Sequence, residues 1–125
     1  MKQALVLFAH GARDPRWAAP FEAIAAAVRA RAPALEVRLA YLELMAPAIG
    51  EAVDALEADG VTHIDVLPLF LGTGGHLRRD LPLLVEGIAA RHPALSLRLH
   101  GAAGEAPAVI QALAEHALSL TYEKQ

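Results

Sequence analysis

Gln3-Ala4-Leu5-Val6-Leu7-Phe8-Ala9 is a nearly unbroken apolar run that leads straight into His10-Gly11. A strand that shows polar groups on neither face belongs inside a parallel sheet, with helices above and below it. Beyond it the period changes. Phe21, Ile24, Ala25 and Val28 fall at i, i+3, i+4 and i+7, which is one face of a helix. The same alternation recurs down the chain. Glu36–Leu42, Ile64–Leu69 and Ser96–Leu99 read as further strands. The first of these, with Val37, Leu39 and Tyr41 on one side, reads as nearer an edge, and the last is the weakest. Ile49, Val53 and Leu56 mark a second helix, and Leu81, Leu84, Val85 and Ile88 a third. Ile110, Leu113, Ala114 and Ala117 mark a fourth. Pro47 suits a first helical turn, Gly60 a C-terminal cap, and Pro107 the start of the last helix. The order βαβαβαβα implies a three-layer α/β fold on a parallel four-stranded sheet, flavodoxin-like, with right-handed crossovers. No linker or repeat interrupts it, and the tail Thr121 to Gln125 is expected to fray.

A chain of 125 residues is the size of a single domain, so 1–125 is read as one unit. With no cysteine, disulfides, zinc knuckles, iron–sulfur clusters and thiol nucleophiles are excluded together. The 14 acidic and 11 Lys/Arg side chains leave a net charge of −3, which argues against a general nucleic-acid binder. The apolar run Ala4 to Ala9 is far too short to span a membrane. The expectation is a soluble cytoplasmic domain with no nucleic-acid or membrane partner.

In open parallel sheets, ligands bind outside the carboxyl ends of the strands. The polar residues that follow each strand are therefore the candidates. They are His10, Gly11, Arg13 and Asp14, then Glu43, then Gly72 through His76 with Arg78 and Arg79, then His100 and Gly101. His10 and His76 each adjoin glycine on that edge. Imidazole binds borderline divalent metals well, and a carboxylate such as Glu43 completes an open site. His100 stands between a functional and a structural role. His63 lies on the opposite edge, His92 ends a helix before Pro93, and His116 flanks the last stripe, so all three read as structural. Glu22, Arg29, Glu51 and Asp54 read as solvated helix faces. Gly72-Thr73-Gly74-Gly75 matches neither nucleotide-binding glycine pattern, but it allows close backbone approach by a flat ligand. Phe8-Ala9-His10-Gly11 invites comparison with the Arg-His-Gly of histidine phosphatases. Ala9 stands where the phosphate-binding arginine would be, which disfavours phosphoryl transfer.

His10-Gly11-Ala12-Arg13-Asp14-Pro15 resembles the opening His-Gly-Ser-Arg-x-Pro signature of the small, single-domain sirohydrochlorin cobaltochelatases of the class II chelatase superfamily. Leu42-Glu43-Leu44-Met45-Ala46-Pro47 is similar to their second-strand segment. Gly75-His76-Leu77-Arg78-Arg79-Asp80-Leu81-Pro82 is similar to their Gly-x-His-x-x-x-Asp-hydrophobic-Pro segment. The three occur in order, from Ala4 to Pro82. Two departures are visible: Ala12 replaces the usual Ser, and Gly72-Thr73-Gly74 lacks bulkier residues.

The resemblance implies a chelatase-like half domain that inserts Co2+ into sirohydrochlorin with release of two protons, in tetrapyrrole and cobalamin biosynthesis. Relatives insert iron or nickel. His10 would be the catalytic proton acceptor and a metal ligand, and His76 a second metal ligand. Glu43, Phe70, Leu71, Gly72, Thr73, Gly74 and Gly75 would contact the macrocycle. Arg13, Arg16, Arg78 and Arg79 lie where they could pair with its carboxylates. No cofactor is implied beyond the divalent metal substrate. Because a flat tetrapyrrole needs walls on both faces, a homodimer is expected. The alternative is a non-catalytic metal or tetrapyrrole carrier built on the same histidines.

Overall fold

A computed structural model of the chain describes residues 2–121, so most of the tail expected to fray lies outside the described residues. Strands β1 (Gln3–Ala9), β2 (Glu36–Tyr41), β3 (His63–Pro68) and β4 (Ser96–Leu99) form one parallel sheet in the order β2-β1-β3-β4. The helices are α1 (Ala19–Arg31), α2 (Ile49–Ala58), α3 (Gly75–Ala90) and α4 (Pro107–Ser119). Short 3-10 turns at Pro15–Ala18 and Ala103–Glu105 precede α1 and α4. The chain reverses direction across the sheet between β1 and β3. The ligand crevice of such a sheet therefore opens beyond Ala9 and Pro68.

The apolar β1 run is buried on both faces, as its pattern predicts. Ala4, Val6 and Phe8 pack with Ile49, Val53 and Leu56 of α2 and with Leu81 and Ile88 of α3. Leu7 faces the other way, onto Val37 and Ala25, with Leu5, Leu39 and Leu67 half-buried around them. Full burial of a side chain such as Phe8 or Leu7 contributes roughly 1.5–3 kcal/mol. The first core is wide and the second narrow. That asymmetry follows from which helices lie on the sheet.

Several local expectations are refined. Strands two and three end one residue early, at Tyr41 and Pro68, and β3 starts one residue sooner, at His63. The ladder still continues, since Leu42 N–H donates to Ala9 O at 2.9 Å and Leu69 N–H to Phe8 O at 2.8 Å. Pro47 precedes α2 rather than opening it, in a cis Ala46–Pro47 peptide, and its carbonyl accepts from Tyr41 N–H at 2.9 Å. Gly60 follows α2 with φ +89°, as a helix-terminating glycine does. Glu51 is not merely solvated, because it accepts from Ala48 N–H at 2.9 Å and caps α2. Arg29 likewise donates to Val37 O at 2.8 Å. Ile24 and Leu84 stay exposed, so the stripes of α1 and α3 are covered only in part. The fourth stripe departs most. Ile110 and Leu113 are 49% and 47% exposed, and no residue of α4 is buried among the described residues. Periodicity shows that a helix has an apolar face but does not say what covers it. Among the described residues, no helix is long and apolar enough to cross a membrane.

Candidate active site

β1 ends at Ala9 and presents His10 at the carboxyl edge, beside the loop that leaves β2. Two backbone bonds knit these loops together, Leu42 N–H to Ala9 O and Glu43 N–H to His10 O at 3.1 Å. Gly11 makes the approach possible. Its φ is +99°, and a Cβ there would stand 1.8 Å from the Glu43 carbonyl oxygen. Only glycine combines that dihedral with that contact. The side chains then meet, with His10 Nε2 3.1 Å from Glu43 Oε2, both about half exposed at 48% and 55%.

The carboxylate only accepts, so Nε2 is the protonated nitrogen of the pair. His10 Nδ1 has no hydrogen bond among the described residues, so its lone pair is free in the neutral ring. A histidine whose far N–H is held by a carboxylate is fixed in tautomer and ring orientation. Phe70, just past β3, sets its ring centroid 6.2 Å from that of His10 and 6.1 Å from that of Phe8. The site thus joins an imidazole, a carboxylate and an aromatic wall at the carboxyl edge of the sheet.

The loop from Phe70 to Gly75 continues outward. Leu71 is 75% exposed, and Gly72, Gly74 and Gly75 are exposed with Thr73 partly covered. The loop is braced from behind by residues that sequence reasoning passed over. Gly104 N–H donates to Phe70 O at 2.8 Å, and a Cβ on Gly104 would lie 2.2 Å from Leu71 O. Glu105 reaches Arg78 at 3.4 Å. Gly104, just after the fourth strand, was the available signal, since a glycine there marks close backbone approach.

His76 sits in the first turn of α3, exposed, with Nδ1 3.5 Å from Arg79. It shares the carboxyl edge with His10 and Glu43 but is not drawn into their pair. Among the described residues, no three His, Asp or Glu side chains are gathered as a metal cage. The candidate cations differ in freedom. Asp14 accepts from the Arg16 guanidinium at 2.7 Å and from Arg16 N–H at 3.0 Å, which holds its carboxyl below the usual range. Arg78 faces Glu105, and Arg79 faces His76 and Asp80. Arg13 has no such partner among the described residues.

The remaining histidines sort by position. His63 opens β3 at the far edge and contacts Thr62 at 2.8 Å. His116 is exposed on α4. His100 turns onto the sheet, with Nε2 2.7 Å from Asp65. His92 is buried, with Nε2 2.8 Å from Asp54 and Nδ1 bonded to Glu57. Asp54 is therefore engaged rather than freely solvated.

A parallel α/β half domain with a His–carboxylate pair at its topological reversal defines a class, and comparison with known proteins fixes the family. The CbiX family model matches residues 4–120, and the chain belongs to that family. It is 31% identical over 97 residues to the sirohydrochlorin ferrochelatase of Bacillus subtilis, covering 78% of this chain and 37% of that protein. It is 37% identical over 82 residues to the sirohydrochlorin cobaltochelatase of Methanopyrus kandleri, covering 66% of this chain and 57% of that one. The chain thus spans well under two thirds of either relative. Among solved structures, the CbiX protein of Marinobacter aquaeolei VT8 superposes with TM-score 0.82 at 32% identity, covering 92% of this chain and 93% of that one. The chelatase SirB of Bacillus subtilis subspecies spizizenii, solved with cobalt, gives 0.80 at 28% identity, covering 96% of this chain and 51% of that one.

Proposed function

We propose that this chain is a sirohydrochlorin chelatase of the cobalt-inserting kind, acting as a single cytoplasmic domain and as a homodimer. The observation that carries the reading is the His10–Glu43 pair, which leaves Nδ1 free beside Phe70 at the sheet crevice of a CbiX-family fold. The reaction exchanges two pyrrole N–H protons for one divalent cation, which is substrate here and not a resident cofactor. His10 Nδ1 takes a ring proton or holds the incoming metal, and neutral imidazole supplies such a lone pair near neutral pH. Glu43 stabilises the imidazolium that results and orients the ring. Phe70, with the loop from Leu71 to Gly75, lies against the macrocycle face, where small residues allow close approach. Arg13, without a salt-bridge partner among the described residues, is available to a substrate carboxylate. His76, on the same edge, captures the hydrated cation before transfer. Two imidazoles and one carboxylate with open positions favour delivery over retention.

Cobalt is supported by the cobaltochelatases among the relatives. A ferrochelatase at comparable identity supports iron as the second reading, since His and carboxylate donors serve both ions. The test is anaerobic absorbance titration of sirohydrochlorin with Co2+, Ni2+ and Fe2+. Catalysis well above the spontaneous rate, fastest with Co2+, is expected. A faster enzymatic rate with Fe2+ would move the assignment to ferrochelatase. Product capped at one equivalent per chain would overturn catalysis in favour of a carrier.

A further inference from the structure

In the loop after β2, a large apolar side chain stands where the backbone favours glycine. Leu44 has φ +64°, and it is the only non-glycine residue with positive φ among the described residues. At the other positions of this kind the chain uses Gly11 and Gly60. A leucine in the left-handed region costs energy that a glycine would not. The turn is also tight. Glu43 O accepts from Met45 N–H at 2.8 Å, which closes a three-residue γ-turn on Leu44, and positive φ at its centre makes this the rare, strained form. Burial does little to offset that cost, because Leu44 is 56% exposed. Strain of this kind persists where the surroundings hold it, and it gathers at ligand clamps. The surroundings hold it here. Glu43 N–H donates to His10 O at 3.1 Å, and Gly11 admits the Glu43 carbonyl oxygen where a Cβ would stand 1.8 Å away.

The place of Leu44 gives its side chain a use. In the sheet order β2-β1-β3-β4, the loops after β2 and β3 flank His10 on either side. The β3 loop carries Phe70, whose ring centroid is 6.2 Å from that of His10, and Leu71, 75% exposed and backed by Gly104. The β2 loop carries Leu44, next to the carboxylate that meets His10 Nε2 at 3.1 Å. An exposed leucine thus stands on each side of the imidazole, each on backbone held by close contacts. An apolar group already held in place loses little freedom when a ligand covers it, so its burial goes into affinity. The geometry points to Leu44 as a substrate-contacting residue that selects for the macrocycle. Its side chain lies against the apolar face of the ring on the β2 side, opposite Phe70 and Leu71. There it gains on binding the burial that folding does not give it. A hydrated cation makes no such contact, so Leu44 acts on the tetrapyrrole and not on the metal. The assignment rests on the chelatase reading above and adds a residue outside the metal-handling groups.

The test uses the full chain and substitutions at this one position. Leu44→Gly keeps the backbone conformation and removes the side chain. Leu44→Asn puts a polar group on a residue type that tolerates positive φ, and Leu44→Met keeps the group apolar. Equilibrium dialysis of metal-free sirohydrochlorin gives Kd, and initial rates of Co2+ insertion give KM and kcat. Leu44→Gly and Leu44→Asn should raise Kd and KM about five- to tenfold. Turnover and the Co2+ concentration at half-maximal rate should stay near wild type, as for a contact made equally in ground and transition states. Leu44→Met should stay within about twofold of wild type throughout. The melting temperature of Leu44→Gly should equal or exceed that of the wild type, because the strain is relieved. An unchanged Kd in Leu44→Gly overturns the inference and leaves the chelatase reading standing. A lower melting temperature overturns it by giving the leucine to the fold. A fall in kcat at unchanged KM overturns it by making the turn a support for Glu43. An altered mass in light scattering at unchanged Kd overturns it in favour of a contact between copies. A wild type that binds sirohydrochlorin but inserts no metal overturns the chelatase reading, and the dialysis arm alone then decides Leu44. A wild type that does not bind it overturns both.

Discussion

Of the histidines that face a carboxylate in this chain, His92 and His10 make the sharpest contrast. His92 is 8% exposed, and both its ring nitrogens are taken, by Asp54 and by Glu57. His10 is half exposed, meets one carboxylate, and keeps Nδ1 without a partner. Carboxylates only accept, so two of them around one ring require both N–H groups and therefore the imidazolium. The hydrogen bond to Glu57, followed by that to Asp54, raises the His92 pKa above its ordinary 6.5 against the opposing effect of burial. A charged ring with no free lone pair can neither take a proton nor bind a metal. It can tie the end of α3 to α2. The comparison teaches that the number of ring nitrogens left free separates an anchoring histidine from a reactive one, more than the presence of a carboxylate does.

The largest effect expected from this contrast is on catalysis. His10→Ala should lower metal insertion by about a hundredfold or more, the ordinary worth of a positioned base, while the melting temperature stays near that of the wild type. A rate within threefold of wild type, measured by sirohydrochlorin absorbance, would break the comparison at its reactive end.

The next effect is on stability. His92→Gln should cost about 1–2 kcal/mol, or roughly 4–8 °C in Tm, with the rate per folded molecule unchanged. The sign with pH follows from the raised pKa. Folding favours the imidazolium, so the stabilisation is fully present below the unfolded value of 6.5 and is lost as pH rises through the folded value. The gap in Tm between wild type and His92→Gln should therefore narrow as pH climbs above neutrality. A gap that widened would mean that His92 is held neutral.

The smallest effects sharpen the middle ground. His76→Ala should raise the metal concentration needed for half-maximal rate and leave turnover at saturating metal. His63→Ala and His116→Ala should shift stability by no more than about 0.5 kcal/mol and leave the rate alone. Thermal melts beside a metal titration of initial rate would expose a control that behaves like His10.

Much of the site was legible because topology does the gathering. Once β1, β2 and β3 were read from their apolar runs, the residues after each had to meet at one edge, and His10, Glu43 and Phe70 do. The bracing of the Phe70 loop by Gly104 was not legible, because it depends on a turn after β4 packing on a segment more than thirty residues earlier. The engagement of Glu51, Asp54 and Arg29 was missed for a related reason. A charged residue on a helix reads as solvated until the neighbouring backbone or ring is placed beside it.

The amino-acid sequence by itself determined the alternation of strands and helices, the parallel sheet and the edge where chemistry gathers. Those follow from local periodicity and from the one hand of βαβ crossovers, which act within short stretches of chain. Tertiary structure alone decided which nitrogen of His10 stays free, which carboxylates close around His92, and that the apolar face of α4 stays exposed. Each of these depends on distances between segments remote in sequence. A period of 3.6 residues specifies a face but carries no information about the surface that meets it.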